Sequence, residues 1–310
     1  MGDAMPAPPN TPRYTTAVHT TLIATDALAS HLDAWAIIDC RYDLKDERWG
    51  RAEYLRSHIP GAGYASLSHD MSAAPDGANG RHPLPSPQAM AQTFGRLGIG
   101  PGIQVVLYDQ DDGRYASRLW WMLRYMGHEA VAVLDGGFAK WALEGRPVRA
   151  GEETRPPATF EGRARQGARL RVDDVERLIG DPATLLIDAR APERFEGQHE
   201  TIDRAAGHIP GAVNHFYQWN VGAGGTMLPP DQLREQFQRV MGDRRPEQVV
   251  MYCGSGVTAC QNLLAMEHAG LPGARVYPGS WSEWSSDPAR PIAKGPATPD
   301  APGAGAPSSR

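Results

Sequence analysis

The chain is punctuated by short, unbroken apolar runs. Ala36-Ile-Ile, Val105-Val-Leu-Tyr108, Val131-Ala-Val-Leu134, Leu186-Ile and Val249-Val-Met-Tyr252 each give way to a charged, polar or glycine-rich stretch. Runs this short, rich in Val and Ile and lacking polar alternation, predict strands buried on both faces. Helical patterns lie near 27–32, 48–56, 88–97 and 115–126. From Val257 the spacing turns helical again, with Ala259, Leu263 and Met266 at i, i+4 and i+7 and Gly270 placed as a left-handed cap. Residues 66–87 show no period and carry His69, Asp70, Arg81 and His82. Strands alternating with helices predict an α/β fold built on mainly parallel sheets.

The pattern occurs twice. Leu186-Ile-Asp188-Ala-Arg190 answers Ile37-Ile-Asp39-Cys-Arg41, and Gly207-His208-Ile-Pro-Gly-Ala212 answers Ser57-His58-Ile-Pro-Gly-Ala62. Gln248 to Tyr252 answers Gln104 to Tyr108, and Gly279-Ser-Trp-Ser-Glu-Trp284 answers Gly136-Gly-Phe-Ala-Lys-Trp141. The offset between copies drifts by only a few residues, so two tandem domains are expected, at 14–145 and 168–290. Residues 146–167 read as a linker, and 1–13 and 291–310, rich in Pro, Ala and Gly, as disordered ends. His58 and His208 recur in both copies and so read as structural.

One position breaks the repeat in a chemically informative way. Asp109 stands opposite Cys253. A carboxylate cannot carry sulfur, and Asp109-Gln-Asp-Asp would repel an anion. The N-terminal copy is therefore expected to be inactive. Cys253-Gly-Ser-Gly-Val-Thr258 joins a strand to a helix, and its glycines let backbone N–H groups turn inward at the helix N-terminus. A cysteine at a strand end is more often a packing residue. The direct succession of strand, Cys-Gly-x-Gly and helix instead makes Cys253 a candidate nucleophile, reacting as thiolate. Cys260, two helical turns on, reads as a core residue.

Composition narrows the function classes. A net charge of −5 with no basic tract argues against nucleic acid as a partner. No apolar run is long enough to span a membrane, and the opening residues lack the basic and apolar blocks of a signal peptide. Three cysteines, an odd number without metal-type spacing, make disulfides and zinc unexpected. The cytoplasm is the expected compartment.

Two copies of Asp-x-Arg, His-Ile-Pro-Gly-Ala and a strand–loop–helix, with cysteine only in the second, resemble the tandem-domain rhodanese family of sulfurtransferases. The loop is similar to that of the branch using 3-mercaptopyruvate. In the thiosulfate branch the second and third loop positions are typically Arg and Lys, where this chain has Gly254 and Ser255. The resemblance implies transfer of sulfur from 3-mercaptopyruvate, or alternatively thiosulfate, through a persulfide on Cys253. The acceptor would be cyanide or a thiol such as thioredoxin, and no cofactor or metal is implied. Gly254, Gly256 and Val257 would offer loop N–H groups, and Ser255 and Thr258 would relay a proton, although Thr258 reads equally as a helix cap. Arg194 is the implied carboxylate ligand, with Arg190 a secondary partner paired to Asp188. Arg204 is a weaker second match. His82 is implied near the site, titrating near neutrality. The family's acidic partner is missing, with Ser66 at about its position and Asp70 four residues on. Trp281 reads as packing or as pocket wall.

Two other classes compete. A cysteine phosphatase would need one more loop residue and an arginine near its end, and this loop has neither. A persulfide relay module that hands sulfur to a partner protein would use the same chemistry with slow turnover on small acceptors.

Overall fold

A computed structural model describes residues 18–296. The expected disordered stretch 1–13 and most of 291–310 lie outside the described residues. The N-terminal copy comprises β1 (Leu22–Ile23), α1 (Thr25–Ala29), β2 (Ala36–Asp39), α2 (Trp49–Arg56), β3 (Ala62–Tyr64), α3 (Pro87–Arg96), β4 (Val105–Tyr108), α4 (Ala116–Tyr125), β5 (Val131–Leu134) and α5 (Gly137–Leu143). The C-terminal copy comprises α6 (Val172–Leu178), β6 (Leu185–Asp188), α7 (Pro192–Phe195), β7 (Val213–Asn214), α8 (Pro230–Met241), β8 (Val249–Tyr252), α9 (Thr258–His268), β9 (Arg275–Val276) and α10 (Ser280–Trp284).

Both sheets are wholly parallel, in the orders β1-β5-β4-β2-β3 and β7-β6-β8-β9. Every residue of β2, β4, β5, β6 and β8 is buried, as expected of parallel strands covered by helices on both faces. The helix expected near 27–32 is shorter and earlier, because Ser30 already closes α1 onto Asp26 and Leu28 carbonyls. Gly270 adopts φ +76°, and the N–H of Leu271 reaches back to Met266, the left-handed cap foreseen.

The two copies share a core. One apolar cluster runs from Ala36 and Leu107 through Leu119 and Trp121 of α4 to Leu264 of α9 and Met251 of β8. Helices α4 and α9 pack on each other across the domain boundary. Helix α9 is consequently buried on nearly every face rather than amphipathic. Its polar Gln261 and Asn262 are satisfied internally: both accept from Asn220 Nδ2, and Asn262 donates to the His215 carbonyl. That network fixes the helix start, where the loop of interest ends.

Residues 291–296, expected to open a disordered tail, are held. Ala293 pairs with His208, and Pro291 accepts from the Trp284 indole. The first copy does the same with Arg149 on His58 and Pro147 on Trp141. The turn histidines are structural in both copies: His58 Nδ1 bonds the Tyr54 carbonyl and His208 Nδ1 the Phe195 carbonyl, each at 2.8 Å, with each ring stacked on that residue.

Candidate active site

Cys253 follows β8 directly and is 2% exposed. The N–H of Gly256 donates to its Sγ at 3.1 Å, so the loop does turn a backbone donor toward the sulfur. Gly256 must be glycine: its φ is +74°, and a Cβ would stand 2.2 Å from the Pro278 carbonyl oxygen. The cysteine's own N–H is held by the Ser280 hydroxyl, which donates in turn to Tyr277. Ser280 has φ +56° and is the one non-glycine with positive φ among the described residues. Gly137 occupies the same place in the other copy, also at +56°. A strained residue held against the cysteine is the kind of feature that clusters at functional sites.

The N-terminal copy, expected to be inactive, differs at the matching position. The Asp109 carboxylate accepts backbone N–H bonds from Asp111, Gly113, Tyr115 and Ala116. Burial, with Asp112 nearby, pushes its pKa up, while those donors pull it down. Repulsion of an anion is thus only part of the account, because Asp109 itself fills the anion position of its loop.

The residues foreseen for the site divide into two groups. Ser255 and His82 meet: His82 Nδ1 lies 2.8 Å from the Ser255 hydroxyl, although 173 residues separate them. Gly254 lies beside Arg81, Arg190 and Arg194. Arg190 repeats the geometry of Arg41, its Nε and Nη2 engaging Asp188 as Arg41 engages Asp39. Its guanidinium lies 4.8 Å over Trp281, which is buried and bonded to the Ala205 carbonyl, so Trp281 is a packing residue under the arginine. Arg194 is present, but Nε and Nη2 already engage Glu200 and Nη2 also Asp203. Thr258 is the first residue of α9, with Val257 at the cap position, and no side chain caps this helix. The cap reading of Thr258 therefore fails, because the helix starts one residue too early for it.

Arg204, Ser66 and Asp70 lie elsewhere, and Cys260 abuts the loop from within the core. Arg204 is exposed and donates to the Ser286 carbonyl. Asp70 accepts from the Ser66 N–H and pairs with Arg96, along a cleft of the N-terminal domain. Cys260 is fully buried, its Sγ 3.3 Å from the Gly256 carbonyl, and burial pushes its thiol up to about 12. It stays a packing thiol.

Four contributors were not foreseen: Arg81, Glu200, Asp203 and, above all, Arg118. Arg118 sits on α4, fully buried, and donates to the Gly256 carbonyl at 2.9 Å and the His82 carbonyl at 3.1 Å. Its sequence signal was a lone cation opening the apolar run Leu119-Trp-Trp-Met-Leu123.

The expectation that His82 titrates near neutrality is corrected. Burial first, then the positive charges of Arg118 and Arg81, push it down from 6.5 to about 3. His82 is a neutral imidazole at physiological pH. Between pH 6.5 and 3 the unfolded chain binds a proton here that the folded chain refuses, so stability falls as pH drops through that window. His215, lowered by burial to about 4, acts with the same sign. Urea midpoints measured from pH 7 to 4 are expected to fall less steeply for His82→Gln than for the native chain. Equal slopes would mean that His82 is protonated in the fold.

Comparison with known proteins follows this geometry. The Rhodanese-like domain family matches residues 24–144 and again 171–287. The "Probable 3-mercaptopyruvate sulfurtransferase" of Pseudomonas aeruginosa is 42% identical over 278 residues, 88% of this chain and 98% of that protein. The bovine "Thiosulfate sulfurtransferase" is 34% identical over 80% of this chain and 84% of its own. Among solved structures, the 3-mercaptopyruvate sulfurtransferase from Leishmania major is 30% identical and superposes with a TM-score of 0.78, covering 86% of this chain and 74% of that one. A sulfur held at the end of a parallel strand in the second of two matching units, with a carboxylate in the first, accords with these likenesses: the chain belongs to the rhodanese-like domain family.

Proposed function

We propose that the protein is a sulfurtransferase that takes sulfur from 3-mercaptopyruvate onto Cys253 and passes it to cyanide or to a thiol such as thioredoxin. The observation that carries this reading is the Cys253 sulfur itself, buried at the end of β8 with the Gly256 N–H on it and three arginines beside Gly254. The relatives named for sulfur transfer support it. The Cys253 thiolate attacks the donor's sulfur; the S–S bond forms as the S–C bond breaks, and the electron pair leaves on C3 as pyruvate enolate. The donor's thiol proton ends on that carbon, giving pyruvate and an anionic persulfide. Ser255, bonded to the neutral His82, is the hydroxyl that moves this proton, with Thr258 at the helix start the alternative. Backbone N–H groups and the start of α9 stabilise the charged outer sulfur. Cyanide or a thiolate then attacks that sulfur, leaving as thiocyanate or a new persulfide and restoring the Cys253 thiolate.

Thiosulfate is the second donor this site can hold, because several guanidinium groups near one sulfur suit a dianion. Measuring kcat/KM for both donors with cyanide as acceptor separates the two. A preference for 3-mercaptopyruvate of about ten-fold or more is expected, about 1.4 kcal/mol in transition-state terms. A preference for thiosulfate would reverse the donor assignment. Loading of one sulfur without turnover on either small acceptor would replace the enzyme by a protein-to-protein relay.

A further inference from the structure

A cavity of about 320 Å³ lies between the two copies, outside the site described above. Ala73, Pro83 and Leu84 of the N-terminal copy form an apolar wall, and Arg169, Gly279 and Glu283 of the C-terminal copy line it opposite. The loop that carries Cys253, His82 and the arginines beside Gly254 are not among the lining residues. Pro278 connects the two places, since it lines the cavity while its carbonyl faces Gly256.

Arg169 is fixed by its main chain. It pairs in parallel with Val276 at the edge of the second sheet, and the N–H of Leu170 donates to the Val276 carbonyl. Its side chain has no such anchor: Nε is buried without a hydrogen bond, and among the described residues the guanidinium pairs with no carboxylate. Glu283, on α10, likewise joins no ion pair among the described residues. Its carboxylate lies over Gly279, where even a Cβ would collide with it. Burial raises the Glu283 carboxyl, while Tyr277, Arg290 and Arg169 oppose the rise and Asp173 adds to it. Arg290 is already engaged, on Glu176 and on the carbonyls of Glu283 and Trp284. A half-buried cation and a half-buried anion thus face one cavity without touching. Desolvating two charges without pairing them is costly, and a ligand with the complementary pair would satisfy both.

We propose that this cavity binds a zwitterionic α-amino acid, with its carboxylate on Arg169, its ammonium on Glu283 and its side chain against Pro83 and Leu84. The site is separate from the donor site and does not depend on the sulfurtransferase reading. Both charged groups of an α-amino acid leave one carbon, so together they can reach a cation and an anion that stand too far apart to pair. Charge-assisted hydrogen bonds at both ends fix the orientation, whereas a plain carboxylate or a plain amine satisfies only one wall. The apolar wall suits a short apolar side chain. The cavity also adjoins the segments that frame the sulfur. Gly279 precedes Ser280, whose hydroxyl holds the Cys253 N–H, and the N–H groups of Trp281 and Ser282 donate to the Cys253 and Gly254 carbonyls. Pro83 follows His82 directly. An occupant that bridges the two walls braces both segments.

The test is calorimetric titration of the full chain with L-valine and with two analogues that each lack one charge, 3-methylbutanoate and 2-methylpropylamine. Valine should bind at millimolar concentrations or below, and each analogue should bind at least about 10-fold more weakly, the scale of one lost charge-assisted contact. Arg169→Gln should weaken valine by a similar factor and leave 2-methylpropylamine unchanged. Glu283→Gln should weaken valine and leave 3-methylbutanoate unchanged, and Arg169→Lys should recover part of the affinity. Should a variant fail to fold, the comparison of the three ligands on the native chain still decides. Saturating pyruvate should not displace valine, because the arginines beside Gly254 lie outside the cavity. No saturable binding of valine, equal binding of valine and 3-methylbutanoate, or displacement by pyruvate overturns the proposal. Because the readout is binding, a chain that transferred no sulfur would refute the sulfurtransferase reading and leave this result standing.

Discussion

Cys253→Ser is expected to lower sulfur transfer by at least about 10⁴-fold, the scale of losing a covalent nucleophile. A hydroxyl can form no persulfide, and nothing nearby replaces the sulfur: Cys260 is buried as a high-pKa thiol and Cys40 is buried in the other copy. The fold should survive. Serine is slightly smaller, its hydroxyl can accept the Gly256 N–H as the sulfur does, and the cysteine N–H stays on Ser280. The stability change should therefore stay within about 1 kcal/mol. The check is paired: turnover with cyanide, and mass spectrometry for one added sulfur atom after incubation with 3-mercaptopyruvate. Turnover at the native rate in this variant would remove Cys253 from the mechanism altogether.

The part of this architecture that was legible from sequence is the part written locally or twice. Strands of four apolar residues, the loop between Tyr252 and Thr258 and the Asp–x–Arg pairs depend on near neighbours, and the second copy checks the first. The pairing of Arg190 with Asp188 could be inferred because Arg41 and Asp39 say the same thing. What escaped is set by distant partners. Arg118 contacts Gly256, 138 residues away, and the apolar run that follows it hints at burial but names no partner. Gly254 looked like a glycine needed by the turn, yet its φ is not left-handed, and the atom nearest to a side chain there is the tip of the Arg81 guanidinium. The depressed pKa of His82 follows from its burial first, then from Arg118 of a distant helix and the adjacent Arg81, and its place in an irregular segment gave no warning of that burial.

Arg118→Met is the second large effect expected, and it should appear in kcat. Among the described residues, Arg118 is a fully buried guanidinium that pairs with no carboxylate. It donates to the carbonyls of Gly256 and His82 and, at 3.5 Å, of Met71, and burial lowers its pKa, with the sulfurs of Cys260 and Cys253 opposing. Burying such a charge costs several kcal/mol. Removing it relieves that cost but leaves buried carbonyls without donors, at about 1–3 kcal/mol each. The two terms oppose, and methionine keeps the volume of the stem, so net stability should move by no more than about 2 kcal/mol. Catalysis has no such compensation. The persulfide places charge beside a loop whose Gly256 would lose its anchor, and loss of one preorganised donor of this kind typically lowers kcat by about 10²- to 10³-fold. KM for the donor should change little, because Arg118 does not reach the arginines around Gly254. Arg118→Lys keeps the charge but cannot span all three carbonyls, and should regain part of kcat. A folded Arg118→Met with native kcat would reduce Arg118 to a domain clasp, whereas a fall in kcat partly restored by lysine would mean that the N-terminal copy sets the geometry of the loop that carries Cys253.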